Sequence, residues 1–155
     1  MPGSFPRIAT DLPAGYARRA ASPALGTPHR LVIDGVPEQV SAARAFVRRV
    51  LGSGHPGAAR VALLTSELVT NSVEHSDSRR EGGTITITLR ADADRVLVEV
   101  ADEGGTAVPA LRRDGALAET GRGLRLVDAL SLAWDYHRTA AGTVTWFECA
   151  PAPLP

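Results

Sequence analysis

The 155-residue chain contains no lysine; all 17 of its basic residues are arginine. A lysine-free chain has no Walker A phosphate loop. It also has no Schiff-base amine and no anchor for pyridoxal phosphate. Cysteine occurs once, as Cys149, which excludes an internal disulfide and a four-cysteine zinc site. The histidines (His29, His55, His75 and His137) are scattered with no i,i+4 pair, so a metal site built of side chains alone is not expected. No apolar run reaches the ~18 residues of a membrane span, and residues 1–10 lack the apolar stretch of a signal peptide. Formal net charge is zero, without the basic excess that nucleic-acid binding favours. The expectation is a soluble cytoplasmic protein with no direct nucleic-acid or membrane contact. Asparagine and glutamine also occur once each, as Asn71 and Gln39. GC-rich coding explains scarce lysine and asparagine together, so the surviving asparagine is worth locating.

Proline marks the ends of the chain. Five of the 11 prolines lie between Pro2 and Pro28, and Pro151, Pro153 and Pro155 close the sequence. Residues 1–28 read as a flexible arm, 29–150 as one domain, and 151–155 as a disordered tail. Residues 30–33 look like a short strand. Pro37 opens a helix in which Val40, Ala43, Phe46, Val47 and Val50 recur at helical spacing. A second helix over residues 57–75 carries Val61, Leu64 and Leu68, widened by Val69 and Val73. The period then becomes two: Ile85, Ile87 and Leu89, and after a turn Val96, Val98 and Val100, predict a hairpin. A loop over 104–121, a short helix over 123–130 and a final hairpin over 132–149 follow. This order predicts an α+β two-layer sandwich: a mixed, mostly antiparallel sheet with helices on one face.

Gly52, Gly54 and Gly57 match the G-x-G-x-x-G dinucleotide pattern, and Asp77 lies twenty residues further on. That fingerprint requires a buried strand before it. Here the preceding residues have helical period and carry Arg44, Arg48 and Arg49, so the glycines read as a helix–helix connection.

Three clusters carry chemistry. Glu67, Asn71 and His75 fall at i, i+4 and i+8 and share a helix face beside the apolar stripe. Such a face either meets water or borders a pocket; hard oxygen donors next to phosphate suit magnesium, and a carboxylate can serve as base. Asp102 ends a strand and is followed by Gly104. It reads either as a strand-ending turn or as an acceptor for an exocyclic amine, with room for a ring at the glycine. Gly121, Arg122, Gly123 and Leu124 open a helix. They read either as ordinary capping by Thr120 or as an anion site at the helix N-terminus.

Taken in order, Glu67 to Ser76, Asp102 to Gly104, Gly121 to Val127 and Trp146 to Glu148 resemble the GHKL (histidine kinase-like) ATPase superfamily. The likeness is strongest to the small stand-alone anti-sigma-factor serine/threonine kinases of actinobacterial type, and it covers about residues 30–149. The resemblance implies a Bergerat-type fold, ATP and Mg2+ as cofactors, and an ATP-binding regulatory protein that phosphorylates an antagonist protein. The alternative is a non-catalytic, nucleotide-dependent protein-binding switch with the same pocket. It implies Glu67 as general base, Asn71 as magnesium ligand and Asp102 as the adenine acceptor. It implies ring space at Gly104, phosphate wrapping at Gly121, Arg122, Gly123 and Leu124, and approach of His75 to phosphate. Thr143, with Thr145 as the alternative, would support adenine through water. The implied partners are a sigma factor and its antagonist, with a homodimer as a common state of relatives. The segment between Gly105 and Thr120 is short for an ATP lid, and a lid cation could come only from Arg112, Arg113 or Arg122. No phosphoacceptor-histidine hairpin precedes the domain and no second domain follows, so neither a complete histidine kinase nor a gyrase-like machine is expected.

Overall fold

The helical spacing of Val40, Ala43, Phe46 and Val47 is realised in a computed structural model of the chain, which describes residues 25–105 and 122–154. After strand β1 (His29–Asp34), a 3-10 turn with Pro37 in its first position leads into helix α1 (Val40–Leu51), which buries Ala43, Phe46 and Val47. Residues 52–57 connect α1 to the 18-residue helix α2 (Ala58–His75). The element that precedes Gly52 is helix α1 and not a buried strand, so the dinucleotide pattern lacks the context that it needs. Strands β2 (Thr84–Ala91) and β3 (Val96–Asp102) form the expected hairpin. Helix α3 (Arg122–Leu130) precedes the closing hairpin of β4 (Ala133–Thr139) and β5 (Gly142–Cys149).

The sheet order is β1-β2-β3-β5-β4, and every pairing is antiparallel, more uniform than the mixed sheet expected. Alternation along the strands gives the sheet two different faces. Ile33, Ile85, Ile87, Val98, Val100 and Phe147 join α1, α2 and α3 in one buried cluster. The other face carries Leu97 and Trp146, with Leu25 seated on them. Burial of the inner face is the main favourable term in this fold, at roughly 25 cal/mol per Å2 of apolar surface.

At both ends of the expected domain, the described residues of the flanking segments make contacts with it. Leu25 is fully buried, and Arg90 Nε donates to its carbonyl at 3.1 Å, so the arm is fixed to the outer face from residue 25 onward. Past Cys149 the chain turns back on α2: Ala152 N donates to Ala150 O at 2.8 Å and Arg60 Nη2 to Pro153 O at 2.7 Å. In both places an arginine supplies the donor that a carbonyl in an irregular segment needs. Sequence periodicity also missed the 3-10 turn Asp77–Arg79, capped by Ser76 Oγ accepting from Ser78 N at 3.1 Å. Among the described residues no helix is long and apolar enough to cross a membrane. Arg112, Arg113, Thr120 and Gly121 lie outside the described residues, as does the side chain of Arg122.

Candidate functional site

Helix α2 buries Val61, Leu64, Leu68, Val69 and Val73 and leaves Glu67, Asn71 and His75 half-buried on the adjoining face. The acidic and amide side chains therefore border the core rather than project into open water. Ser72, one residue past Asn71, is buried and crosses to the sheet: its Oγ donates to Asp102 Oδ2 at 2.7 Å. This bond ties the polar end of α2 to the last residue of β3.

Asp102 is held from three sides. Besides Ser72, Gly104 N donates to Oδ1 at 2.8 Å, and the backbone of Thr143 donates to the same carboxylate. Burial pushes the Asp102 carboxyl above its ordinary value; these three donors and the nearby charge of Arg138 pull it back. Gly104 has φ +74°, and its carbonyl accepts from Asp77 N at 2.7 Å. A Cβ on Gly142 would collide with the Asp102 carbonyl, so only glycine lets β5 start this close to the end of β3.

Strand register puts Thr143 opposite Asp102, whereas Thr145 lies opposite Val100, one step deeper. The hydroxyl of Thr143, the residue paired with Asp102, is buried without a hydrogen-bond partner. A buried hydroxyl left unmet is costly, and a ligand or a water seated against Asp102 would satisfy it. The site thus offers, side by side, a carboxylate that accepts and a hydroxyl that can do either. Such a pair can meet a ligand edge that carries both a donor and an acceptor.

Where α3 meets α2, a Cβ on Gly123 would come within 2.7 Å of Glu67 Oε2 and 3.3 Å of Glu67 Cβ. The start of α3 thus sits directly against the Glu67 side chain, whose carboxylate would have to shift for any larger residue at 123. Leu124 turns the other way and is buried in the core. His75 closes α2 with its Nε2 3.6 Å from Glu74 Oε2. Of the residues singled out in the sequence, Glu67 and Gly123 are brought together, as are Asp102, Gly104 and Thr143.

Two residues escaped the sequence reading. Ser72 lies inside the Glu67–Ser76 segment without being singled out, and its partner is thirty positions away. Arg138, whose Nη1 donates to Gly105 O at 3.0 Å, gave no periodic or motif signal. Among the described residues no group of three or more His, Cys, Asp or Glu could hold a metal. A cation here would instead need the Asn71 amide oxygen together with ligand oxygens and water, a donor set that suits magnesium and its retained waters.

The family profile of the histidine kinase-like ATPase domain matches residues 34–149. Among solved structures, the RsbU and RsbW domains of Rv1364c from Mycobacterium tuberculosis align with a TM-score of 0.56 at 23% identity, covering 84% of this chain and 35% of that one. The present chain thus spans about a third of that structure, and the likeness is one of fold. The histidine kinase domain of the blue-light-activated histidine kinase from Erythrobacter litoralis EL346 aligns with a TM-score of 0.40 at 22% identity, over 86% of this chain and 72% of that one. None of the curated proteins matches.

Proposed function

The chain belongs to the histidine kinase-like ATPase domain family, and from that premise we propose that it is an ATP-binding anti-sigma-factor serine/threonine protein kinase. The observation that carries the nucleotide site is the half-buried Asp102 carboxylate, fixed by three donors and paired across the strands with Thr143, whose hydroxyl is unmet. Likeness of fold to a structure that includes an RsbW domain supports the kinase part of the reading.

In this reading Asp102 accepts the exocyclic amine of adenine, Gly104 leaves room for the ring, and Thr143 completes the contact through water. Asn71 would hold Mg2+ through its amide oxygen, and His75 would face the phosphates. Gly121, Arg122, Gly123 and Leu124 supply backbone N–H groups and positive charge at a helix start, where anions are favoured. ATP supplies the phosphoryl group that is transferred. Glu67 takes the proton of an acceptor serine or threonine hydroxyl on an antagonist protein. Catalysis then rests on positioning and charge neutralisation more than on covalent chemistry by the protein. The presence of both Glu67 and Asn71 favours a working kinase over a pocket that only binds nucleotide.

Calorimetry with ATP, with and without magnesium, tests the reading. Asn71→Ala should lose the magnesium-dependent part of the affinity. Glu67→Ala should keep binding and lose phosphate transfer to an acceptor protein. Transfer that survives Glu67→Ala would remove the base assignment, and a wild type that binds neither ATP nor ADP would overturn the nucleotide site.

A further inference from the structure

We infer that Ser72 is a positioning residue that sets the purine preference of this pocket, by holding Asp102 as a pure acceptor that takes a 6-amino purine and refuses a 6-oxo purine. The inference rests on the nucleotide reading above and goes beyond it, because it assigns the choice between bases to a residue that need not touch the base.

Ser72 is buried, and its hydroxyl donates to Oδ2 at 2.7 Å while Gly104 N serves Oδ1 at 2.8 Å. The two carboxylate oxygens are thus oriented from opposite sides, one by helix α2 and one by the turn after β3. The backbone of Thr143 adds a third donor. The serine is itself fixed, because its carbonyl accepts from Ser76 N at 3.0 Å and from Ser76 Oγ at 2.6 Å. All three of these groups donate, so the lone pairs left on Asp102 can only accept. An exocyclic amine is then attracted and a keto oxygen in its place is repelled.

Without the Ser72 hydroxyl, Oδ2 would lose its side-chain donor while remaining half-buried and partly desolvated. Burial would then favour the protonated carboxyl, with Arg138 the charged group that still opposes this. A protonated carboxyl can donate, and a keto oxygen becomes acceptable. Hydrogen bonds to charged groups are worth enough that the selectivity lost should be about tenfold.

The test compares ATP with inosine triphosphate, which carries a keto oxygen where ATP has its amine, on wild type, Ser72→Ala and Ser72→Thr at pH 7. The wild type should prefer ATP. Ser72→Ala should narrow the ratio about tenfold, mostly through weaker ATP and unchanged or stronger inosine triphosphate. Ser72→Thr keeps a hydroxyl and should keep the wild-type ratio. An unchanged ratio in Ser72→Ala, or an equal loss for both nucleotides, overturns the inference while leaving the nucleotide site standing. So does a folded Ser72→Thr that binds ATP without preference. A wild type that binds neither nucleotide overturns both.

Discussion

Two carboxylates three residues apart on β3 are treated differently by the fold. Glu99 points to the outer face, opposite Trp146, and burial alone pushes its carboxyl up to about 7. Asp102 points to the helix side, and there the same burial is opposed by Ser72, Gly104, Thr143 and Arg138. Desolvation acts on both; what differs is whether the protein replaces the lost water with its own donors. A carboxylate given donors stays able to accept from a ligand. One without them is a store of instability that titrates near neutrality. The end of the strand where the fold supplies donors is the one at which the proposed site lies, and burial by itself does not mark it.

The largest effect should come from removing the charge at the supplied end. Asp102→Asn should weaken ATP binding about a hundredfold, the scale of a lost charged hydrogen bond in a dry site. Denaturant unfolding should show that the variant remains folded. Equal affinity for ATP in wild type and variant would erase the functional distinction between the two carboxylates.

Glu99→Gln should show the opposite pattern: ATP affinity unchanged and stability altered. Because the folded carboxyl titrates at about 7 against an ordinary value of 4.5, the folded state binds more protons between those pH values. Stability of the wild type should be full below pH 4.5 and fall as pH rises towards and through 7. The variant should flatten that fall, gaining on the order of 2 kcal/mol at pH 8 and nothing at pH 4. Urea melts at the two pH values measure it; a parallel gain at both would show that the glutamate is not the titrating group.

The smallest change in stability should accompany Gly123→Ala. An alanine gains up to about 1 kcal/mol of helix propensity, offset by the crowding of Glu67, so unfolding free energy should stay within about 1 kcal/mol of wild type. Phosphate transfer should nevertheless fall, because the added methyl displaces the Glu67 carboxylate. Unchanged transfer would mean that Glu67 need not sit against the start of α3.

Much of this was legible in the sequence. The period-two alternation of Ile85, Ile87 and Leu89 and of Val96, Val98 and Val100 gave the central hairpin. The stripe of Val61, Leu64 and Leu68 gave α2, with Glu67 and Asn71 at its polar edge. Those signals are local, because burial on one face writes itself into spacing. What escaped was long-range. The Ser72–Asp102 bond spans thirty residues, Arg60 reaches Pro153, and Leu25 seats on Leu97 and Trp146. None of these leaves a periodic trace. The pairing of Thr143, and not Thr145, with Asp102 likewise awaited the β3–β5 register, since both threonines occupy the same face of one strand.

The most direct test of the central claim is a map of backbone amide shifts in the wild-type chain as ATP and magnesium are added. The account predicts saturable shifts at Gly104 and Thr143, whose amides serve Asp102, and at Gly123, with Glu99 on the other face of the same strand undisturbed. Shifts confined to the outer face, or none at saturating nucleotide, would contradict it.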